Sequence, residues 1–109
     1  MALGEPAESE PTREAIEAFR GPLVLEFGTR WCGFCRAAQP LLAAAFASYP
    51  GVERLQVEDG SGRPLGRSFR VKLWPTLVFL KDGKEVSRTV RPRTEDEVRR
   101  GLEAITAAQ

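Results

Sequence analysis

Histidine is absent from this 109-residue chain, and cysteine occurs only twice. Without histidine there is no Ser-His-Asp or Cys-His nucleophile, no imidazole base and no histidine metal ligand. Two cysteines leave a zinc site two ligands short, so no metal site is expected. Standing three positions apart, Cys32 and Cys35 also enclose too small a loop to act as a structural staple, because closing it removes little entropy from the unfolded chain. No uninterrupted apolar run approaches the roughly 20 residues of a helical membrane span. The N-terminal stretch MALGEPAESEPTR lacks the apolar core of a secretory signal, so a cytoplasmic protein without membrane association is expected. The net charge is +1, which offers a nucleic-acid backbone no strong attraction. Internal repeats and low-complexity tracts are missing too. Thiol chemistry is what these exclusions leave.

The length suits one domain with one core. Residues 1–11 carry Glu5, Glu8, Glu10, Pro6 and Pro11 and read as a flexible acidic segment ahead of a domain spanning 12–109. From Thr12 to Arg20, Ala15, Ile16 and Phe19 fall at helical spacing, and Gly21-Pro22 stops the helix. Leu23-Val24-Leu25-Glu26-Phe27 is apolar on both faces except at Glu26, the pattern of a central strand. Cys35 to Tyr49 forms a helical stripe through Leu41, Leu42, Ala45 and Phe46, with a kink expected at Pro40. Val52 to Glu58 alternates like an edge strand, and Leu65 to Phe69 fits a short helix. Leu77 to Leu80 follows Trp74-Pro75-Thr76; Asp82-Gly83 signals a hairpin into Glu85–Val90. Thr94-Glu95-Asp96-Glu97 has the spacing of a capping box and opens the last helix. The order α-β-α-β-α-β-β-α implies an α/β fold, with a mixed sheet of about four strands flanked by helices on both faces. The strand order expected is 52–58, 23–28, 76–81, 85–90.

Trp31-Cys32-Gly33-Phe34-Cys35 lies where the first strand gives way to a helix. Cys32 would sit at the helix N-terminus, where free N–H groups and the dipole favour an anion, and the thiolate is the nucleophilic form of cysteine. Arg30 and Arg36 add positive charge nearby. Cys35, one turn on, would be the less exposed of the two. One sulfur is then placed to attack a disulfide and the other to resolve the mixed disulfide.

WCGFC after an apolar strand, a proline within the following helix, WPT, and FLKDGKEV together resemble the thioredoxin family from about Leu23 to Ile105. The resemblance implies a thioredoxin-like fold, a cis peptide at Trp74-Pro75 facing the cysteines, Cys32 as nucleophile, Cys35 as resolving thiol and Trp31 as an aromatic shield. It implies a protein-disulfide reductase that binds no cofactor of its own. Its partners would be disulfide-containing proteins and, as electron donor, an NADPH-dependent flavoprotein thioredoxin reductase; the chain is expected to act as a monomer. Gly33, Phe34, Trp74, Pro75, Thr76 and Arg91 are the further candidates for substrate contact.

Glu26 stands where the family usually carries Asp, which marks it as a proton acceptor for Cys35. Independently, a carboxyl inside a central strand would be desolvated. Arg54 falls where a lysine is usual and could instead hold Glu26 in an ion pair. Several residues depart from the family pattern. Phe34 replaces a common proline, Trp74 a smaller aliphatic residue, and Arg91-Pro92 a Gly-Ala pair, which makes the groove bulkier and more basic. Residues 63–93 hold nine Lys/Arg against Asp82 and Glu85, either as solvated surface or as a field that steers an acidic partner. Two other readings stay open: a cell-envelope thiol oxidase or relay protein, and a non-catalytic binding module using Trp31, Phe34 and Trp74.

Overall fold

The computed structural model describes residues 10–107, so most of the acidic segment expected at 1–11 lies outside the described residues. The elements follow in the order α1 (Arg13–Ala18), β1 (Pro22–Gly28), α2 (Gly33–Phe46), β2 (Glu53–Glu58), α3 (Pro64–Ser68), β3 (Thr76–Lys81), β4 (Lys84–Val90) and α4 (Glu95–Thr106). They form a four-stranded sheet ordered β2-β1-β3-β4, as the apolar patterning predicts. β1 pairs parallel with β2 and antiparallel with β3, while β3 and β4 form the antiparallel hairpin.

Alternation along β1 decides what each face meets. Leu23, Leu25 and Phe27 point into a cluster with Ile16, Leu55, Val57, Leu65 and Phe69, under α1 and α3. Val24 points the other way, among Ala38, Leu42, Leu77, Phe79, Val98, Leu102 and Ile105, under α2 and α4. Glu26 follows the same alternation onto this second face, beneath the first half of α2.

Local chemistry sets the helix ends. The Thr12 hydroxyl accepts the Ala15 N–H at 3.0 Å and opens α1. This helix stops at Ala18, short of the expected Arg20, because Phe19 turns extended and packs on the first cluster. α2 continues through Pro40, which removes one helical hydrogen bond without ending the helix. Thr94 accepts the Glu97 N–H at 3.2 Å; Glu97 in turn accepts from the Arg93 backbone N–H, a capping box displaced by one residue.

α4 lies so close to the sheet that a Cβ on Gly101 would fall 2.4 Å from ring carbons of the fully buried Phe79. Alanine is normally the better helix former. Here Gly101→Ala is expected to destabilise the protein by about 1–3 kcal/mol through overpacking. The denaturation midpoint checks this; a midpoint raised by the substitution would contradict the packing of α4.

Candidate active site

The chain leaves β1 at Gly28 and enters α2 at Gly33, with Cys32 as N-cap in extended conformation. The Cys35 backbone N–H donates to Cys32 Sγ at 3.1 Å. The sulfur thus takes the place that a serine or aspartate oxygen fills at most helix starts, and one of the orphan N–H groups is satisfied by it. That arrangement favours negative charge on Cys32 sulfur. Both cysteines are free.

Cys35 is the less exposed of the two, as expected, but by little: 7% against 8% for Cys32. The reason is the capping bond, which turns Cys32 Sγ back over the first helical turn. The two differ in electrostatics instead. Burial pushes the Cys35 thiol up to about 12, and its side-chain hydrogen bond with Cys32 and the nearby Glu26 charge act in the same direction. Cys35 reaches this depth because residue 28 is glycine: a Cβ there would come within 2.6 Å of Cys35 Sγ.

Glu26 is 6% exposed and both its oxygens are engaged. Oε1 accepts from Arg54 Nη2 at 2.9 Å and Nε at 3.2 Å, and Oε2 accepts from Gln39 Nε2 at 2.8 Å. Gln39 Nε2 also donates to the Cys35 carbonyl at 3.3 Å, and its Oε1 accepts from Arg54 Nη2 at 3.2 Å. Strand register explains the meeting. Glu26 lies opposite Gln56, so Arg54, two residues earlier on β2, shares its face one step diagonally. The Glu26–Arg54 pair left open by the sequence is therefore formed. Gln39, which sequence reasoning missed, stands one helical turn beyond Cys35 as a polar residue in an otherwise apolar stripe, and that position was the available signal. Glu26, Cys35, Thr29 and Gln39 line a cavity of about 200 Å³ beside the cysteine pair.

The rim is aromatic and cationic. The Trp74-Pro75 peptide is cis. Trp31 and Trp74 meet edge to face, centroids 5.6 Å apart, and Trp74 Nε1 donates to Asp59 Oδ2 at 2.8 Å. Arg91 joins two loops: its N–H donates to the Pro75 carbonyl at 2.9 Å, its Nε to the Trp74 carbonyl at 2.8 Å, and its guanidinium lies 3.9 Å over the Phe34 ring. Among the described residues Trp31 and Phe34 are the most exposed large apolar side chains, at 70% and 58%, and a Cβ on Gly33 would meet only open space. Pro75 and Thr76 are buried; the Thr76 hydroxyl donates to the Leu73 carbonyl at 2.6 Å, so its side chain does not reach the rim. Leu73 and Asp59 belong to this surface and were not legible beforehand, because a loop contact carries no periodicity.

Against known proteins, the Thioredoxin family model matches residues 7–104. A thioredoxin of Chlamydia trachomatis is 40% identical over 77 residues, covering 70% of this chain and 74% of that protein. An H-type thioredoxin of Picea mariana is 31% identical over 96 residues, covering 88% and 75%. Among solved structures, thioredoxin 2 from Pseudomonas aeruginosa PAO1 in its reduced form superposes with a TM-score of 0.82 at 52% identity, covering 96% of each chain. No helix among the described residues is long and apolar enough to cross a membrane. With two free sulfurs one turn apart at the head of α2 and relatives of this kind along nearly the whole chain, the protein belongs to the thioredoxin family and is a dithiol–disulfide oxidoreductase working through Cys32 and Cys35.

Proposed function

We propose that the chain reduces protein disulfides, with Cys32 attacking, Cys35 resolving and Glu26 receiving the resolving proton. The observation that carries the reading is the 3.1 Å hydrogen bond from the Cys35 N–H to Cys32 Sγ at the start of α2. It sets a backbone N–H and the helix N-terminus against Cys32 Sγ, the sulfur placed to attack, while burial keeps Cys35 as a thiol.

In the first step Cys32 thiolate attacks one sulfur of the substrate disulfide. A bond forms from Cys32 to that sulfur, and the other substrate sulfur leaves as a thiolate that takes a proton from solvent. In the second step Cys35 attacks Cys32 Sγ, the intramolecular disulfide forms and the second substrate sulfur departs. The substrate has gained two electrons and the dithiol has lost them. With its thiol pushed up to about 12, Cys35 is held protonated at neutral pH, so the second step needs a base. Glu26 lines the same cavity as Cys35, and that cavity has room for water to pass the proton. Arg54 and Gln39 keep the carboxylate fixed beneath the pair.

Substrate backbone would lie beside Pro75 in the manner of an added strand, against Trp31, Phe34 and Trp74, with Arg91 bracing that surface. The partners are disulfide-bearing proteins, and an NADPH-dependent flavoprotein reductase restores the dithiol. The chain acts as a monomer in the cytoplasm and needs no bound cofactor for either step.

Two outcomes are expected. Cys32→Ser abolishes insulin reduction, whereas Cys35→Ser retains the first attack and accumulates covalent protein adducts visible on non-reducing gels; full turnover by either variant contradicts the mechanism. Glu26→Gln slows resolution by about 10²-fold or more while leaving the first attack unchanged. Stopped-flow tryptophan fluorescence separates the two phases, and an equal slowing of both would remove Glu26 from the proton path.

A further inference from the structure

On α2, Phe34, Ala37, Ala38 and Leu41 fall at i, i+3, i+4 and i+7 and so form one stripe. The alanines keep its floor low. The stretch between β4 and α4, carrying Arg91 and Arg93, faces it, and together they enclose a groove of about 570 Å³ that begins at Phe34, two residues from Cys32.

The charge of this groove is one-sided, with two arginines and no carboxylate among its lining residues. The acidic first turn of α4 is committed elsewhere: Glu95 pairs with Arg99, Asp96 with Arg100, and Glu97 accepts the Arg93 backbone N–H. Arg36, exposed on α2 directly after Cys35, adds positive charge close to the cysteines. The wall is also held in shape. Arg91 adopts φ +50°, a conformation that strains a residue with a Cβ and that glycine adopts freely. Its side chain meanwhile spans from the Trp74 carbonyl to the face of Phe34.

We propose that this groove receives the segment of the substrate protein next to its disulfide and selects an apolar side chain with a carboxylate beside it. The apolar side chain packs on Ala37, Ala38 and Leu41, and the carboxylate meets Arg93 at the open edge and Arg91 at the Phe34 end. The inference deepens the proposed function by naming the class of substrate, acidic and apolar around the reacting cysteine, and it rests on Cys32 being the sulfur that substrate approaches. A rigid wall that needs no reordering on binding adds to affinity, and arginines with no carboxylate among the groove's lining residues favour encounter with an acidic partner.

Two ten-residue peptides test it, each with an internal disulfide flanked by Leu-Glu in one and Leu-Lys in the other. Versions with Ser for Cys report binding alone. At low salt the Leu-Glu peptide is expected to bind the reduced protein roughly fivefold more tightly and to show a correspondingly higher kcat/KM as a disulfide, with the gap narrowing at high salt. Arg93→Glu should reverse the preference without changing the rate on 2-hydroxyethyl disulfide, which is too small to reach the groove. Equal binding of the two Ser peptides, or a preference unchanged in Arg93→Glu, overturns the proposal. Selective binding of the Ser peptides with neither disulfide peptide nor 2-hydroxyethyl disulfide reduced would uphold the groove and defeat the redox reading instead.

Discussion

A backbone N–H of the first turn of α2 donates to a sulfur, and the rest of the site is arranged around that bond. A helix start leaves several N–H groups without partners, and at most helices an oxygen-bearing side chain answers them. Placing Cys32 there makes the cap itself the reactive group. The same bond turns the sulfur inward, so it is sheltered yet stands within two residues of the exposed Trp31 and Phe34. Reactivity and access are thereby divided between different residues.

Beneath the pair lies the costlier arrangement. Glu26 and Arg54 are taken largely out of water, and such pairs seldom stabilise a fold beyond what apolar residues of equal volume would provide. Good geometry offsets part of the desolvation: Arg54 makes two contacts to Oε1, Gln39 occupies Oε2, and the guanidinium rests 4.8 Å over the Phe46 ring. A carboxylate so held adds negative charge near Cys35 and helps keep that thiol protonated. One buried charge thus opposes early loss of the Cys35 proton. The groove beside Phe34 extends the same division of labour outward, with fixed arginines at its edge instead of a fixed carboxylate at its base.

Strand order, hairpin and helix positions were legible in the sequence because each follows from short-range periodicity and turn chemistry. Leu23–Phe27 read as central since both of its faces are apolar, and it lies between β2 and β3. Asp82-Gly83 turned where its backbone preferences require. The site was legible as far as its motif: Cys32 and Cys35 are local, one turn apart. The contest at Glu26 was not, because pairing with Arg54 depends on the register of two strands 28 positions apart in sequence. Gln39 joins that network through a helix face meeting a strand face, and Asp59 reaches Trp74 across loops; neither meeting leaves a pattern in one dimension. How small the exposure difference between the two sulfurs is was not legible either, since a cap bends its own side chain back over the helix.

Both sulfurs are nearly buried, yet only Cys35 has its proton held by burial, by its hydrogen bond with Cys32 and by the Glu26 charge. Site-resolved alkylation of the reduced protein by iodoacetamide across pH, mapped by mass spectrometry, measures that difference most directly. The account predicts carbamidomethylation of Cys32 at neutral pH, with Cys35 unmodified until pH rises well above the ordinary thiol range toward about 12. Modification of Cys35 first, or of both along one titration curve, would contradict it.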